Sequence, residues 1–161
     1  MIKVLVVEDD PMVAHLNKKY IEKLHGFETI GWARNGKEAY EYIKRSAPDL
    51  LLLDVYMPVM DGLALLEKIR EEQIGVDVIL VTSAQDTASI DRILQLGAVD
   101  YLIKPFEFER FEIAFETYKV RYDKIKRQEQ LTQEDLDEIT GLKKVSIKEE
   151  FHKGIDKSTM A

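Results

Sequence analysis

The stretch "LLLLDVYMPVMDGL" (residues 50–63) places an acidic residue, Asp54, directly after four leucines and ahead of Tyr56, Met57, Pro58 and Met60. Four consecutive apolar residues read as a strand covered on both faces rather than one that alternates between core and water. A carboxylate ending such a run sits close to the core, where an unpaired charge is costly. Its presence there needs a chemical reason.

Outward from this segment the chain repeats one theme. Apolar strand candidates "IKVLVV" (2–7), "FETIGWA" (27–33), "LLLLD" (50–54), "DVILVT" (77–82) and "DYLIK" (100–104) alternate with amphipathic stretches at 10–24, 35–46, 61–72 and 86–96. Ala39, Tyr40 and Ile43, and Leu63, Leu66 and Ile69, recur at helical spacing, and Asn35-Gly36, Ala47-Pro48 and Leu96-Gly97 punctuate the elements. Apolar strands separated by helices predict an α/β domain, a doubly wound five-stranded parallel sheet with right-handed crossovers. In such sheets function gathers beyond the carboxyl ends of the strands, near the point where strand order reverses. Asp54 stands at that address.

The other strand ends supply its company. The first strand ends in Glu8 and Asp9, the fourth in Thr82 followed by Ser83, and the fifth in Lys104 followed by Pro105. Asp10-Pro11 reads instead as the N-cap and first residue of a helix. Taken singly, each residue has an ordinary role as a turn former, a strand residue or a loop start. Their coincidence at four strand ends is what points to a site. Three close carboxylates repel unless a cation joins them, and an all-oxygen set without Cys or His suits Mg²⁺. Lys104 and Thr82 remain to bind an anion beside it. A hard metal, a carboxylate nucleophile, a lysine and a hydroxyl make a phosphoryl-transfer site, with Asp54 as the phosphoacceptor.

Composition excludes much else. The chain has 161 residues, 45% of them apolar, and no cysteine, which removes disulfides, thiolate metal sites and cysteine nucleophiles. No apolar run approaches the ~18 residues of a membrane span, and Met1-Ile2-Lys3 leads into a strand rather than a signal peptide, so a soluble cytoplasmic protein without a membrane partner is expected. Residues 1–118 carry 13 Lys+Arg and 21 Asp+Glu, whereas 119–161 carry 10 and 9. An acidic body and a neutral tail make a poor nucleic-acid binder by bulk electrostatics. His15, His25 and His152 show no ligand spacing.

The segments "VLVVEDDPMVA", "LLLLDVYMPVMDGL", "VILVTSAQD" and "GAVDYLIKPF" resemble the receiver domain of bacterial two-component response regulators, a flavodoxin-like fold, over residues 2–118. The resemblance implies Asp54 as phosphoacceptor, Glu8 and Asp9 as the acidic pocket, and the backbone carbonyl of Tyr56 as a further Mg²⁺ ligand. It also implies Thr82 as the switch hydroxyl, Lys104 as the phosphate-pairing cation and Tyr101 as the switch aromatic. A sensor histidine kinase is the implied partner. The pocket has Glu8 where aspartate is the commoner choice, so Asp9 is the better direct ligand. Phosphatases of the haloacid-dehalogenase type share much of this set. They need a second aspartate two residues after the nucleophile as general acid/base. Tyr56 stands there instead, so the chain is not expected to be an enzyme. A phosphorylation-independent module on the same scaffold would typically have lost one of these residues, and none is missing.

Past the fifth strand, Phe108, Phe111, Phe115, Tyr118, Tyr122 and Ile125 form a heptad-spaced seam. Its second half predicts a helical linker (119–150), either a frayed, charged helix end or a segment that self-associates; in the second case Tyr118, Tyr122 and Ile125 form the seam of a homodimer that phosphorylation strengthens. "LTQEDLDEITGL" (131–142) reads as a short capped helix ending at Gly141, with Thr132 and Asp135 as a near capping box. Residues 151–161 resemble the opening of the helix-turn-helix output domain in regulators of the citrate and C4-dicarboxylate sensing subfamily. DNA binding is expected only through the remainder of that domain, since no recognition helix stands in this chain.

Overall fold

The computed structural model describes residues 1–83, 87–127 and 132–137. It divides into two compact units, Met1–Ala114 and Phe115–Ala161. The division falls inside a continuous helix.

In the first unit strand and helix alternate: β1 (Ile2–Val7), α1 (Pro11–Glu22), β2 (Phe27–Ala33), α2 (Gly36–Ser46), β3 (Leu50–Asp54), α3 (Gly62–Glu71), β4 (Asp77–Thr82), α4 (Thr87–Gln95), β5 (Asp100–Ile103) and the start of α5 (Phe108–Arg127). The expected strands are all present. Only β5 stops one residue short, at Ile103, although the Lys104 N–H still reaches the Thr82 carbonyl at 2.7 Å. The sheet is parallel throughout in the order β2-β1-β3-β4-β5, so the chain changes direction of travel between β1 and β3.

Local chemistry starts the helices where the sequence suggests. Asp10 accepts the Met12 N–H at 2.9 Å, Asn35 the Glu38 N–H at 2.9 Å and Asp61 the Ala64 N–H at 2.8 Å, each satisfying a donor that the first helical turn leaves open. One sheet face carries Leu5, Val7, Leu51, Leu53, Val78 and Leu80, packed with Ala39 and Ile43 of α2, Leu65, Leu66 and Ile69 of α3 and Ile93 of α4. On the other face α1 meets the start of α5 through Tyr20, whose ring stands edge-on to Phe108 and Phe111 at 5.2 Å from each. The β3 leucines are wholly buried. At about 1.5–3 kcal/mol apiece, they offset the cost of ending the strand on a carboxylate.

In the second unit α5 runs on to Arg127. Residues 133–137 form a further helical turn, and its capping box is complete. The Thr132 N–H donates to the Asp135 carboxylate at 3.1 Å and the Asp135 N–H to the Thr132 hydroxyl at 3.1 Å. Lys124 joins the same carboxylate at 3.1 Å. The expected helix end at Gly141 and the segment 151–161 lie outside the described residues. Of the seam, Tyr118 is only 3% exposed within the single chain, Tyr122 is half-buried and Ile125 is 40% exposed. Among the described residues no helix is long and apolar enough to cross a membrane.

Candidate functional site

The carboxyl ends of β1, β3, β4 and β5 bring Glu8, Asp54, Thr82 and Lys104 to one rim. Carboxylate oxygens of Glu8, Asp9 and Asp54 lie within 4.8 Å of one another. Asp54 and Glu8 are buried and Asp9 is exposed. The Lys104 ammonium reaches between the buried pair, 3.2 Å from Glu8 Oε1 and 3.7 Å from Asp54 Oδ2. The Tyr56 N–H donates to Asp54 Oδ1 at 3.3 Å and the Asp10 N–H to Glu8 Oε2 at 3.2 Å.

The loop between β3 and α3 is held at both ends. The Gly62 N–H returns to the Val55 carbonyl at 2.8 Å, and the Gly36 N–H of α2 takes the Met60 carbonyl at 2.8 Å. Gly62 is required by close approach, because a Cβ there would lie 2.6 Å from the Asp54 carbonyl oxygen and 2.9 Å from Val55 Cα. Val59, 79% exposed in this loop, holds φ at 70°, a strained conformation for a β-branched residue. Such strain gathers at functional loops.

Burial drives the electrostatics. Desolvation, then the Asp54 charge, pushes Glu8 up to about 7, against the smaller pull of Lys104. Desolvation also raises Asp54, while the Glu8 hydrogen bond, Lys104 and the Tyr56 N–H pull it back down. Burial thus works against a charge on both facing carboxyls, and Lys104 with the Tyr56 and Asp10 N–H groups works for it. The donor set fits a small hard cation: three carboxylates, two of them inside the rim, with no nitrogen or sulfur ligand.

Thr82 is 1% exposed, at the end of β4 beside Asp54's strand. Tyr101 of β5 is half-buried and packs on the core cluster, in register with Leu80. Two supports escaped the sequence reading. The Trp32 indole N–H donates to the Glu8 carbonyl at 2.6 Å and so braces the acidic loop from β2. Arg110 holds the Asp100 carboxylate at 3.3 Å and the Tyr101 carbonyl at 3.1 Å, fixing the backbone beside the aromatic. Neither partner pair is marked by spacing, since each joins two different elements, where no helical or strand period relates the partners.

Residues 4–116 match the family model of the response regulator receiver domain. The chain belongs to that family. It is 44% identical over 158 residues to the "Probable C4-dicarboxylate response regulator DctR" of Bacillus subtilis strain 168, covering 98% of this chain and 70% of that protein. To the "Transcriptional regulatory protein MalR" of the same organism it is 42% identical over 161 residues, covering 99% of this chain and 68% of the relative. Among solved structures, the receiver domain of Francisella response regulator 1452 is 34% identical with a TM-score of 0.65, covering 74% of this chain and 98% of that one. This response regulator receiver thus has transcriptional regulators among its relatives.

Proposed function

We propose that this receiver is a phosphorylation switch: Asp54 accepts a phosphoryl group from a phosphohistidine of a sensor kinase. The observation that carries the reading is the buried Asp54 carboxylate, within 3.7 Å of Lys104 and inside a three-carboxylate cluster. An Asp54 oxygen attacks phosphorus, the bond from phosphorus to the imidazole nitrogen breaks, and the imidazole leaves as a neutral ring once protonated. Asp9, Asp54, Glu8 and the Tyr56 carbonyl would hold Mg²⁺, which when bound offsets the charge of the incoming phosphoryl oxygens. Lys104 pairs with the phosphoryl group, and the Thr82 hydroxyl turns inward to hydrogen-bond it. Tyr101 then moves from half-buried to buried, and the face formed by α4, β5 and α5 changes shape. A shift from 99:1 to 1:99 between the two states takes about 5.5 kcal/mol, which a few charge-assisted hydrogen bonds at about 1.5–3 kcal/mol each can supply.

The whole regulator works in the cytoplasm, where the changed face pairs two copies and positions output domains on DNA. The test is intact mass after incubation with Mg²⁺ and acetyl phosphate. One added phosphoryl is expected, and none with Asp54→Asn; a mutant labelled to the wild-type level removes the assignment. In Mg²⁺ titrations Asp9→Ala should weaken binding more than Glu8→Ala, because both Glu8 oxygens are already engaged, by Lys104 and by the Asp10 N–H.

A further inference from the structure

Away from the phosphoacceptor rim, a cavity of about 400 Å³, partly open to solvent, lies between α1 and the edge strand β2. That is within the range of small-molecule sites. Its floor is Val6, one wall is Ala14 with His15 and Lys18 of α1, and the other is Thr29 to Trp32 of β2.

The cavity comes from a defect in the sheet. β1 and β2 pair as Val4 with Thr29 but Leu5 with Gly31, so Ile30 is an extra residue, and Val6 pairs with Trp32. Val4 and Val6 share a face, so Thr29 and Trp32 also face α1, with a longer gap between them than a regular strand leaves. The bulge is locked from the opposite face. The Tyr42 hydroxyl donates to the Ile30 carbonyl at 2.8 Å, and its ring fills the space a Gly31 side chain would need. Trp32 is fixed in turn by its bond to the Glu8 carbonyl and by the Arg34 guanidinium over its ring at 5.0 Å. The space is therefore preformed and does not close by a simple side-chain shift.

Its polar features are few. Thr29 Oγ1 is buried and has no hydrogen-bond partner among the described residues. Proteins seldom leave such a group unsatisfied. Lys18 and His15, both exposed on α1, are among the residues that line the same cavity in a chain of net charge −7. An apolar body with a few placed polar groups is the character of a ligand site.

We propose that this cavity binds a small amphipathic carboxylate. Its aromatic or branched apolar part packs on Val6, Ala14 and Trp32, its carboxylate pairs with Lys18, and a polar atom of its chain meets Thr29 Oγ1. The site is independent of phosphoryl transfer and stands or falls apart from it.

Trp32 is the protein's single tryptophan, so its fluorescence reports occupancy directly. The full chain is titrated with 3-phenylpropionate, with 3-phenylpropionamide as the neutral control, in wild type, Lys18→Glu, Thr29→Val and Asp54→Asn. A saturable change for the acid is expected, at least about tenfold weaker for the amide and for Lys18→Glu, weakened for Thr29→Val and unchanged in Asp54→Asn. No saturation up to about 10 mM, an affinity too weak to matter, overturns the proposal and leaves water as the partner of Thr29. Equal binding of acid and amide overturns the anionic class, and full binding by Thr29→Val overturns the hydroxyl's part. Lys18 is exposed on α1, so its substitution tests charge without disturbing the core.

Discussion

Lys104 Nζ stands closer to Glu8 than to Asp54, 3.2 Å against 3.7 Å. The cation therefore leans on the pocket acid rather than on the proposed phosphoacceptor. This arrangement keeps Lys104 inside the rim without neutralising Asp54 outright. It also lets the ammonium move to a new anion over a short path, since Lys104 is still one-third exposed.

Lys104→Ala should accordingly slow phosphorylation from acetyl phosphate without abolishing it, because the acidic cluster and the Tyr56 N–H remain. What it should remove is the response: the phosphate-dependent chemical-shift changes at Thr82 and Tyr101. If both residues respond in the mutant as they do in the wild type, Lys104 has no part in the switch.

The raised Glu8 gives a pH dependence with a definite sign. In the metal-free fold Glu8 keeps its proton up to about 7, whereas in the unfolded chain it loses it near 4.5. The native state binds more protons across that window, so stability falls as pH rises from 4.5 to 7. Glu8→Gln lacks this slope. Urea unfolding in EDTA should show the mutant gaining on wild type between pH 5 and 7.5, and a constant difference would place the Glu8 titration elsewhere.

Much of this was legible because the fold's logic is written in blocks. "LLLLD" and "DVILVT" are apolar without alternation, which is enough to call for a parallel sheet, and the residues after each block then share one rim. Caps were equally readable, since Asp10 and Asp61 bond to their own next turn. The supports were not. Trp32 reaches Glu8 through a main-chain carbonyl, and Arg110 reaches Asp100 from another element, so neither leaves a pattern along the chain. The β2 bulge escaped for a related reason. "FETIGWA" looks like one regular strand, and the slip at Ile30 is held by Tyr42, which bonds to it from the following helix. The burial of Tyr118 past Phe115 was not legible either, because heptad spacing marks an apolar stripe without saying what covers it.

Gly62→Ala should cost more than its surface-loop position suggests. The added methyl would press on the Asp54 carbonyl and Val55 Cα, both main chain, so no flexible side chain can give way. Overpacking of this kind costs about 1–3 kcal/mol. Thermal unfolding should show that loss, together with slower labelling of Asp54, because the strain falls on the strand end that carries it. A mutant with wild-type stability would mean that the β3–α3 loop shifts freely.

The last prediction concerns assembly beyond the receiver core. With Tyr118 already covered, only half-buried Tyr122 and Ile125, one helical turn apart, remain of the expected seam. Two such side chains bury too little to hold a dimer alone, so pairing through them should be weak and should depend on the neighbouring face that phosphorylation alters. Twofold pairing is the commonest oligomer geometry and would present two output domains to a two-part DNA site. Sedimentation of wild type and of Tyr122→Glu/Ile125→Glu, each with and without Mg²⁺ and acetyl phosphate, separates the contributions. Wild type should move towards dimer on phosphorylation and the double mutant should not. Far-ultraviolet circular dichroism should report equal helix content in both, which keeps the result from being a simple loss of α5. If the double mutant self-associates as wild type does, Tyr122 and Ile125 are a solvated extension of the helix and the pairing surface lies elsewhere.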